Sequence, residues 1–301
     1  MLRNSVRHKG QWKHEMFSYA MLLPFLIVFC ISIVLPIIVV FILSFTEYNM
    51  FQSPIFVGFS NYTNIFINDS VFMKALTNTI YFALITGPLS FIICFLIAWI
   101  INDFRPKIRA LLTLVFYIPS ISGTMYVIFS LIFSADYYGI ANSFLISLGL
   151  IKDPLSWFQD PKMCLNLLII VQLWLSLGIG FLSFIAGLQN VDKELFEAAA
   201  IDGIKTRWHE LWYITLPSMK NMLIFAGLTQ ISAAFASGDI GMTLAGFPSV
   251  QYSAHTLTVH AYDYGMVRYE MGYASAVSVI LFILVLFSYK IFHLFVKRIG
   301  E

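Results

Sequence analysis

The sequence predicts an all-α, polytopic membrane protein with six transmembrane helices. Three observations carry that prediction. Of 301 residues, 59% are hydrophobic and 11% charged, against roughly 25% charged in soluble domains. A soluble fold of this length has too little interior for so much apolar surface. Six windows without Asp, Glu, Lys or Arg are apolar and long enough to cross a bilayer: 16–46, 75–102, 110–135, 163–191, 221–238 and 271–289. The basic residues segregate, fourteen of the eighteen falling on one side of the implied topology.

A span needs about 20 residues at a rise of about 1.5 Å each. On that basis the spans are expected at about 17–46, 76–102, 110–134, 164–189, 219–238 and 272–296. The first apolar run is far longer than the roughly 7–15 residues of a signal-peptide core. Pro24 and Pro36 within it mark bends. The fifth window is short. The sixth extends past Lys290, whose ammonium can snorkel to the interface. A seventh charge-free window, 240–262, holds Gly241, Gly246, Pro248, Gln251, His255 and His260. Its polar groups would be costly in hydrocarbon, so it is expected as an external loop with short structured pieces. The chain thus divides into a basic segment, 1–15, and one transmembrane domain, 16–297.

Lys and Arg set the orientation. Arg3, Arg7, Lys9 and Lys13 precede the first span, and Arg105, Lys107 and Arg109 follow the second. Lys193, Lys205, Arg207 and Lys220 follow the fourth, and Lys290, Lys297 and Arg298 close the chain. With six spans all of these share one side, whereas Lys74, Lys152, Lys162 and Arg268 share the other. The cation-rich side is the cytoplasmic one, so both termini are expected there. The basic N-terminal segment would rest on anionic headgroups.

The absent motifs narrow the function. The net charge of +2 gives no reason to expect a nucleic-acid partner. There is no GxxxxGK[ST] loop, no metal-ligand cluster and no nucleophile–base pair, so neither a catalytic residue nor a metal or cofactor is expected. No window centre carries an ionisable group, which weighs against an ion-coupled carrier. No selectivity-filter sequence suggests a channel. Cys30, Cys94 and Cys164 sit in apolar runs without a CxxC pair and read as small hydrophobes.

One polar segment stands apart, 190–220, between the fourth and fifth windows. A plain connection would need only a few residues. Asp192 can cap a helix that Ala198, Ala199 and Ala200 propagate, and Gly203 can end it in the left-handed conformation. A second helix is expected from about Thr206 to Trp212, with Ile204, Trp208, Leu211, Trp212 and Thr215 on one face. Pro217 starts or bends the entry to the fifth span. Small alanines beside Glu197 would let a partner's surface approach and offer its cations a carboxylate.

Glu197-Ala198-Ala199, then Gly203, then Ile214-Thr215-Leu216-Pro217 resembles the EAA loop of permeases in binding-protein-dependent ABC importers. Gly58-Phe59-Ser60-Asn61-Tyr62, Asn78-Thr79, Pro119 and Gly272-Tyr273-Ala274-Ser275-Ala276 are similar to the sugar branch of that family. The resemblance covers about residues 15–297 and implies a type I ABC importer permease fold. It makes 190–218 a cytoplasmic helix–turn–helix that docks into a cleft of an ABC ATPase. Glu197 and the alanines would sit in the cleft, with Gly203 at the turn. One departure is visible. Ten residues, Ile204 to Tyr213, separate Gly203 from Ile214, where the family pattern has nine.

A solute path needs small and polar residues on facing helices. The fourth span offers Gln172, Ser176 and Gly180, spaced by four and so on one face. The fifth offers Gln230, Ala233, Ala234 and Ser237, and the third Ser120 and Thr124. By alignment from the EAA segment these positions resemble the lining of the maltose-type sugar pocket. Trp174 and Phe235 could stack on a pyranose ring. Small residues also simply let membrane helices pack.

The function expected is the permease subunit of an ATP-driven importer for a sugar or oligosaccharide, in a prokaryotic cell membrane. The chain itself would do no chemistry. Its expected partners are a second permease, an ABC ATPase dimer, and an extracytoplasmic solute-binding protein meeting loops 47–74, 136–162 and 239–270. The alternatives are an ATP-independent secondary carrier, a membrane scaffold or an exporter permease.

Overall fold

In a computed structural model, residues 19–122 and 125–298 are described. The basic N-terminal segment and Thr124 lie outside them. Among the described residues five helices are long and apolar enough to cross a membrane: Tyr19–Leu43, Ser70–Asn102, Cys164–Gln189, Lys220–Ala245 and Met271–Lys297. The only β-structure among them is a short antiparallel pair, Thr46–Glu47 with Ile55–Phe56.

The expected third span is not one helix. It runs from Pro106 to Ile121, turns extended at Ser122, and resumes as Val127–Ile132. Pro119 removes a backbone donor from the last turn, and the Ser120 hydroxyl bonds back to the Tyr117 carbonyl.

The other spans depart from expectation mainly at their ends. The second begins at Ser70, several residues early, because the Asp69 carboxylate accepts the Phe72 N–H at 2.8 Å and caps it. The fourth breaks at Gly178, whose backbone is non-helical, between Cys164–Leu175 and Ile179–Gln189. The fifth kinks at Ser237 and continues as Gly238–Ala245, past Asp239, where the charge-free window stops. The rest of 240–262 forms a short 3-10 turn at Val250–Tyr252 and the helix Leu257–Tyr262, which runs into a π turn at Asp263–Val267. These are the short structured pieces expected, and the later part of the stretch is packed inside: Ala254, His255, Leu257, Val259 and His260 are buried.

Two π turns share one cause. Cys30–Val34 ends two residues before Pro36, and Leu211–Thr215 ends two residues before Pro217. Proline cannot donate to the carbonyl four residues back, and its ring crowds that carbonyl, so the ladder slips to i→i−5 bonds.

Several motif residues outside 190–220, the segment called the coupling segment after the role its resemblance implies, prove to be clamps. The Asn61 amide donates to the Ser44 and Thr46 carbonyls, both at 2.9 Å, and the Tyr62 hydroxyl to Ser44 Oγ. The Asn78 amide donates to the carbonyls of Tyr252 and His255, while Thr79 Oγ1 accepts the Leu257 N–H at 2.8 Å. These bonds satisfy irregular backbone that the bilayer cannot. At Gly272 a Cβ would lie 1.9 Å from the Thr46 carbonyl oxygen, so only glycine lets the sixth span pass there.

The spans meet in apolar clusters. At the end bearing the coupling segment, Cys94, Phe95, Ala98 and Ile101 of the second span pack with Phe181 and Phe184 of the fourth and Leu223 of the fifth. Leu211, Leu216 and Met219 of the coupling segment complete that cluster. The first span has no buried residue in its most apolar window and meets the sixth through its second half, where the Phe41 ring lies edge-on to Phe282.

Candidate functional site

The coupling segment folds from local signals. The Asp192 carboxylate accepts the Glu194 N–H at 3.0 Å and starts the helix Lys193–Ile201. That helix ends at Gly203, with φ of +91°. The Gly203 N–H bonds the Ala200 carbonyl, and the Ile204 N–H bonds that of Ala199 at 2.9 Å. This is the Schellman closure, which needs a left-handed residue in the glycine's place. No atom lies within 4 Å of a Cβ built there, so backbone conformation alone selects the glycine.

The ten residues after Gly203 comprise the turn Ile204–Lys205, the cap Thr206, the helix Arg207–Glu210 and the start of the π turn. The inward face keeps Leu211 and Thr215 of the expected set but not its tryptophans. Leu211, Ile214, Thr215 and Leu216 are buried, while Trp208 and Trp212 are 59% and 60% exposed. A period of 3.6 misplaces this face because the π turn adds a residue to one turn. Pro217 follows at the head of the short helix Leu216–Ser218.

Glu197, Ala198 and Ala200 face outward, beside Ile201, which is 87% exposed. Ala199 does not join them; it is buried within the chain. The open patch is therefore small side chains, one carboxylate and one bare isoleucine on a capped helix.

The expected path residues separate into groups. Gln230 and Ser176 come together at the break in the fourth span. The Gln230 amide nitrogen donates to the Ser176 carbonyl at 3.1 Å, and the Cys94 thiol donates to the same oxygen at 3.3 Å. Ser90 Oγ donates to the Gln230 carbonyl oxygen. The same carbonyl accepts the Gly178 N–H at 2.8 Å, so backbone at the break and side chains from the second and fifth spans converge on one oxygen. Gly180 belongs here too, since a Cβ on it would press on the Gln230 amide at 2.9 Å. Ser120 sits against the backbone of the break, its Cβ 3.3 Å from the position of a Cβ on Gly178.

Gln172 is buried, yet its amide has no hydrogen-bond partner among the described residues. Trp174 is partly exposed and packs edge-on against Phe129. Ala234 is placed elsewhere, packed with Ala83 and Phe235 on an apolar groove between the second, fifth and sixth spans. Phe235 is buried there, so its ring is not open for stacking. The Ser237 hydroxyl bonds back to the Ala233 carbonyl at the kink. One face escaped the sequence reading: Ser232, Ala236, Asp239 and Thr243 are exposed along the fifth span at helical spacing. The spacing is visible in the sequence, but a window bounded by charge stops at Asp239.

A second polar cluster lies at the opposite end. Asp69 Oδ2 accepts the hydroxyls of Tyr264 at 2.9 Å and Tyr273 at 2.7 Å, and His260 Nε2 stands 3.2 Å away. His260 Nδ1 is in turn 3.1 Å from His255 Nε2. Burial pushes the Asp69 pKa up, but hydrogen bonds from Tyr273, the Phe72 N–H and Tyr264 outweigh it and leave the net value lowered. Burial, and then neighbouring His260, pull His255 down to about 4. Burial also lowers His260 despite the attraction of Asp69. Both rings are therefore neutral at pH 7. Neither sequence spacing nor composition pointed to Asp69.

Comparison with known proteins adds the following. No family model matches the chain. It is 32% identical to the arabinooligosaccharides transport system permease protein of Bacillus subtilis, over 94% of this chain and 90% of that one. It is 28% identical to the lactose transport system permease protein of Rhizobium radiobacter, over 72% and 74% of the two chains. Its fold matches a chain in the crystal structure of a bacterial ABC transporter involved in the import of the acidic polysaccharide alginate. The TM-score is 0.77 at 23% identity, over 98% of this chain and 100% of that one.

Proposed function

The chain belongs to the family of permease subunits of carbohydrate ABC transporters, and from that premise we propose that it is one half of an ATP-driven importer channel for an oligosaccharide. It is a multi-pass protein of the prokaryotic plasma membrane and a transport subunit rather than an enzyme. ATP hydrolysis belongs to two copies of a separate ATPase, which dock on the coupling segment. Glu197 and Ala198 enter the ATPase cleft, Gly203 shapes the turn, and Pro217 leads into the fifth span. Ala199 acts from within, holding the closure.

The observation that carries this reading is the coupling helix itself. It is capped at Asp192, closed at Gly203, and open to solvent along Glu197, Ala198 and Ala200. A second, similar permease supplies the other half of the path, and an extracytoplasmic binding protein delivers the solute. Both termini then face the cytoplasm, as the segregation of Lys and Arg requires.

The path runs past Gln172 and Ser120 toward the exposed face of Ser232, Ala236 and Asp239. The unpaired Gln172 amide offers a sugar hydroxyl both donor and acceptor. Ser176 and Gln230 hold the adjacent break in the fourth span, with Ala234 and Ser237 supporting the fifth. Movement of the ATPases shifts the coupling helices as rigid elements and opens the path to one side or the other.

The test is to tag the chain, solubilise it gently, identify what co-purifies, and measure uptake of labelled arabino-oligosaccharides and lactose by the reconstituted complex. An ABC ATPase and a second permease should come down with it. A lone chain or homo-oligomer that takes up these sugars without ATP would overturn the proposal.

A further inference from the structure

The coupling segment is joined covalently to two helices only, the fourth and fifth spans. The structure adds a third attachment. Arg207, the first residue of the second coupling helix, forms an ion pair with Asp103, which closes the second span 104 positions earlier. The same guanidinium lies 5.2 Å over the ring of Trp99, one turn along that span. Trp99 also meets Trp208, with ring centres 5.5 Å apart. Adjacent residues of the coupling segment thus grip two residues four apart, which share one face of the second span. Behind these contacts, Leu211 and Leu216 enter the same apolar cluster as Ala98 and Ile101.

The mechanical consequence follows from geometry. A body tied at two points can pivot about the line that joins them. A third tie off that line removes the pivot, so a displaced coupling segment must carry the second span with it. An ion pair and a cation–π contact at the surface are individually weak, so they can break and re-form within a cycle. A chance surface ion pair would not need a guanidinium stacked on one tryptophan while a second tryptophan packs beside it.

The second span then leads to the break. Roughly two and a half and three and a half turns from Asp103 it carries Cys94 and Ser90, which bond the Ser176 carbonyl and the Gln230 side chain. Movement of this helix therefore acts directly on the groups that hold the fourth span's interruption.

We propose that Arg207, Trp208, Asp103 and Trp99 form a latch that passes movement of the coupling segment to the second span, and through it to the break in the fourth. The proposal rests on the reading that an ATPase docks on this segment. Arg207 and Asp103 are positioning residues, acting through the second span rather than on solute or nucleotide.

The test uses the full complex with its ATPase and partner permease in lipid nanodiscs. Hydrogen exchange is followed in 95–104 and in 193–201, at rest and after trapping with ATP and vanadate. In the wild type, exchange should shift in both segments on trapping. In Asp103→Ala the shift in 193–201 should remain and that in 95–104 should be lost. The exchanged pair, Asp103→Arg with Arg207→Asp, regains the ion pair without the Arg207 stack on Trp99, and should restore the shift in part. Arg207→Lys keeps the charge but loses the planar stack, and should retain the shift only in part. A merely structural contact would lower the melting temperature of the complex and leave the shift in 95–104 in place, which overturns the latch. A wild-type complex that responds in 193–201 but not in 95–104 overturns it too. Silence in 193–201 of the wild type would sink the docking reading, and the latch with it.

Discussion

The amide nitrogen of Gln230 lies 3.1 Å from the carbonyl oxygen of Ser176, so a side chain of the fifth span ties itself to a carbonyl at the break that the Gly178 N–H also reaches at 2.8 Å. Replacing Gln230 with Leu leaves the Gly178 N–H and the Cys94 thiol as donors to that carbonyl and removes the tie to the fifth span. Hydrogen bonds within membranes average near 0.6 kcal/mol, and an unmade buried one costs about 1–3 kcal/mol. Gln230→Leu should therefore destabilise the chain by about 1–2 kcal/mol and impair transport. Thermal unfolding in detergent checks this. An unchanged melting temperature would mean that the bond is not what holds the break.

Gly203 is left-handed in open space, so substitutions there should rank by backbone tolerance and not by size. Asn should be accepted best, Ala should cost about 1–2 kcal/mol, and Val should cripple the turn. The readout is recovery of ATPase-bound complex. Equal recovery of the Asn and Val variants would show that the turn does not depend on the left-handed conformation.

Glu197 is exposed and has no ion-pair partner among the described residues. Glu197→Lys should leave membrane insertion and folding intact while abolishing co-purification of the ATPase, because a cation would then meet the cations of the cleft. Glu197→Gln should retain part of the binding. Normal uptake by the Lys variant would count against docking at this helix.

The His255–His260–Asp69 cluster predicts acid sensitivity. The His255 pKa is about 4 in the folded chain and about 6.5 when unfolded. The unfolded chain thus binds the extra proton first, and stability is lost as pH falls from about 6.5 to about 4. Over that window the loss is about 3 kcal/mol. Asp69, with its pKa lowered, adds a loss of the same sign at still lower pH. The groups facing His255 are His260, Asp263 and Arg268, from the same stretch of chain, and Asp69, which caps the second span from outside it. Melting temperatures between pH 7 and 4 should fall less steeply for His255→Phe than for the wild type.

Much of the fold was legible because the signals are local. Charge-free windows marked the first, second and sixth spans, since lipid imposes one rule on every residue of such a helix. The coupling helix was legible for a similar reason: its cap at Asp192, its alanines and its Gly203 act within a few residues. The third span misled because Pro119 acts on backbone bonds, which average hydropathy does not register. The fifth misled because Asp239 can stand on an exposed helix face without ending the helix.

By itself, the sequence determined the membrane class, the family and the place of the coupling turn, all properties of residues close together in the chain. Only the tertiary structure decided what the polar residues hold. Gln230 meets Ser176 across 54 positions, Arg207 meets Asp103 across 104, and Tyr273 meets Asp69 across 204. Such pairs leave no periodic trace, because their partners are chosen by how the helices pack and by which backbone groups that packing leaves unbonded.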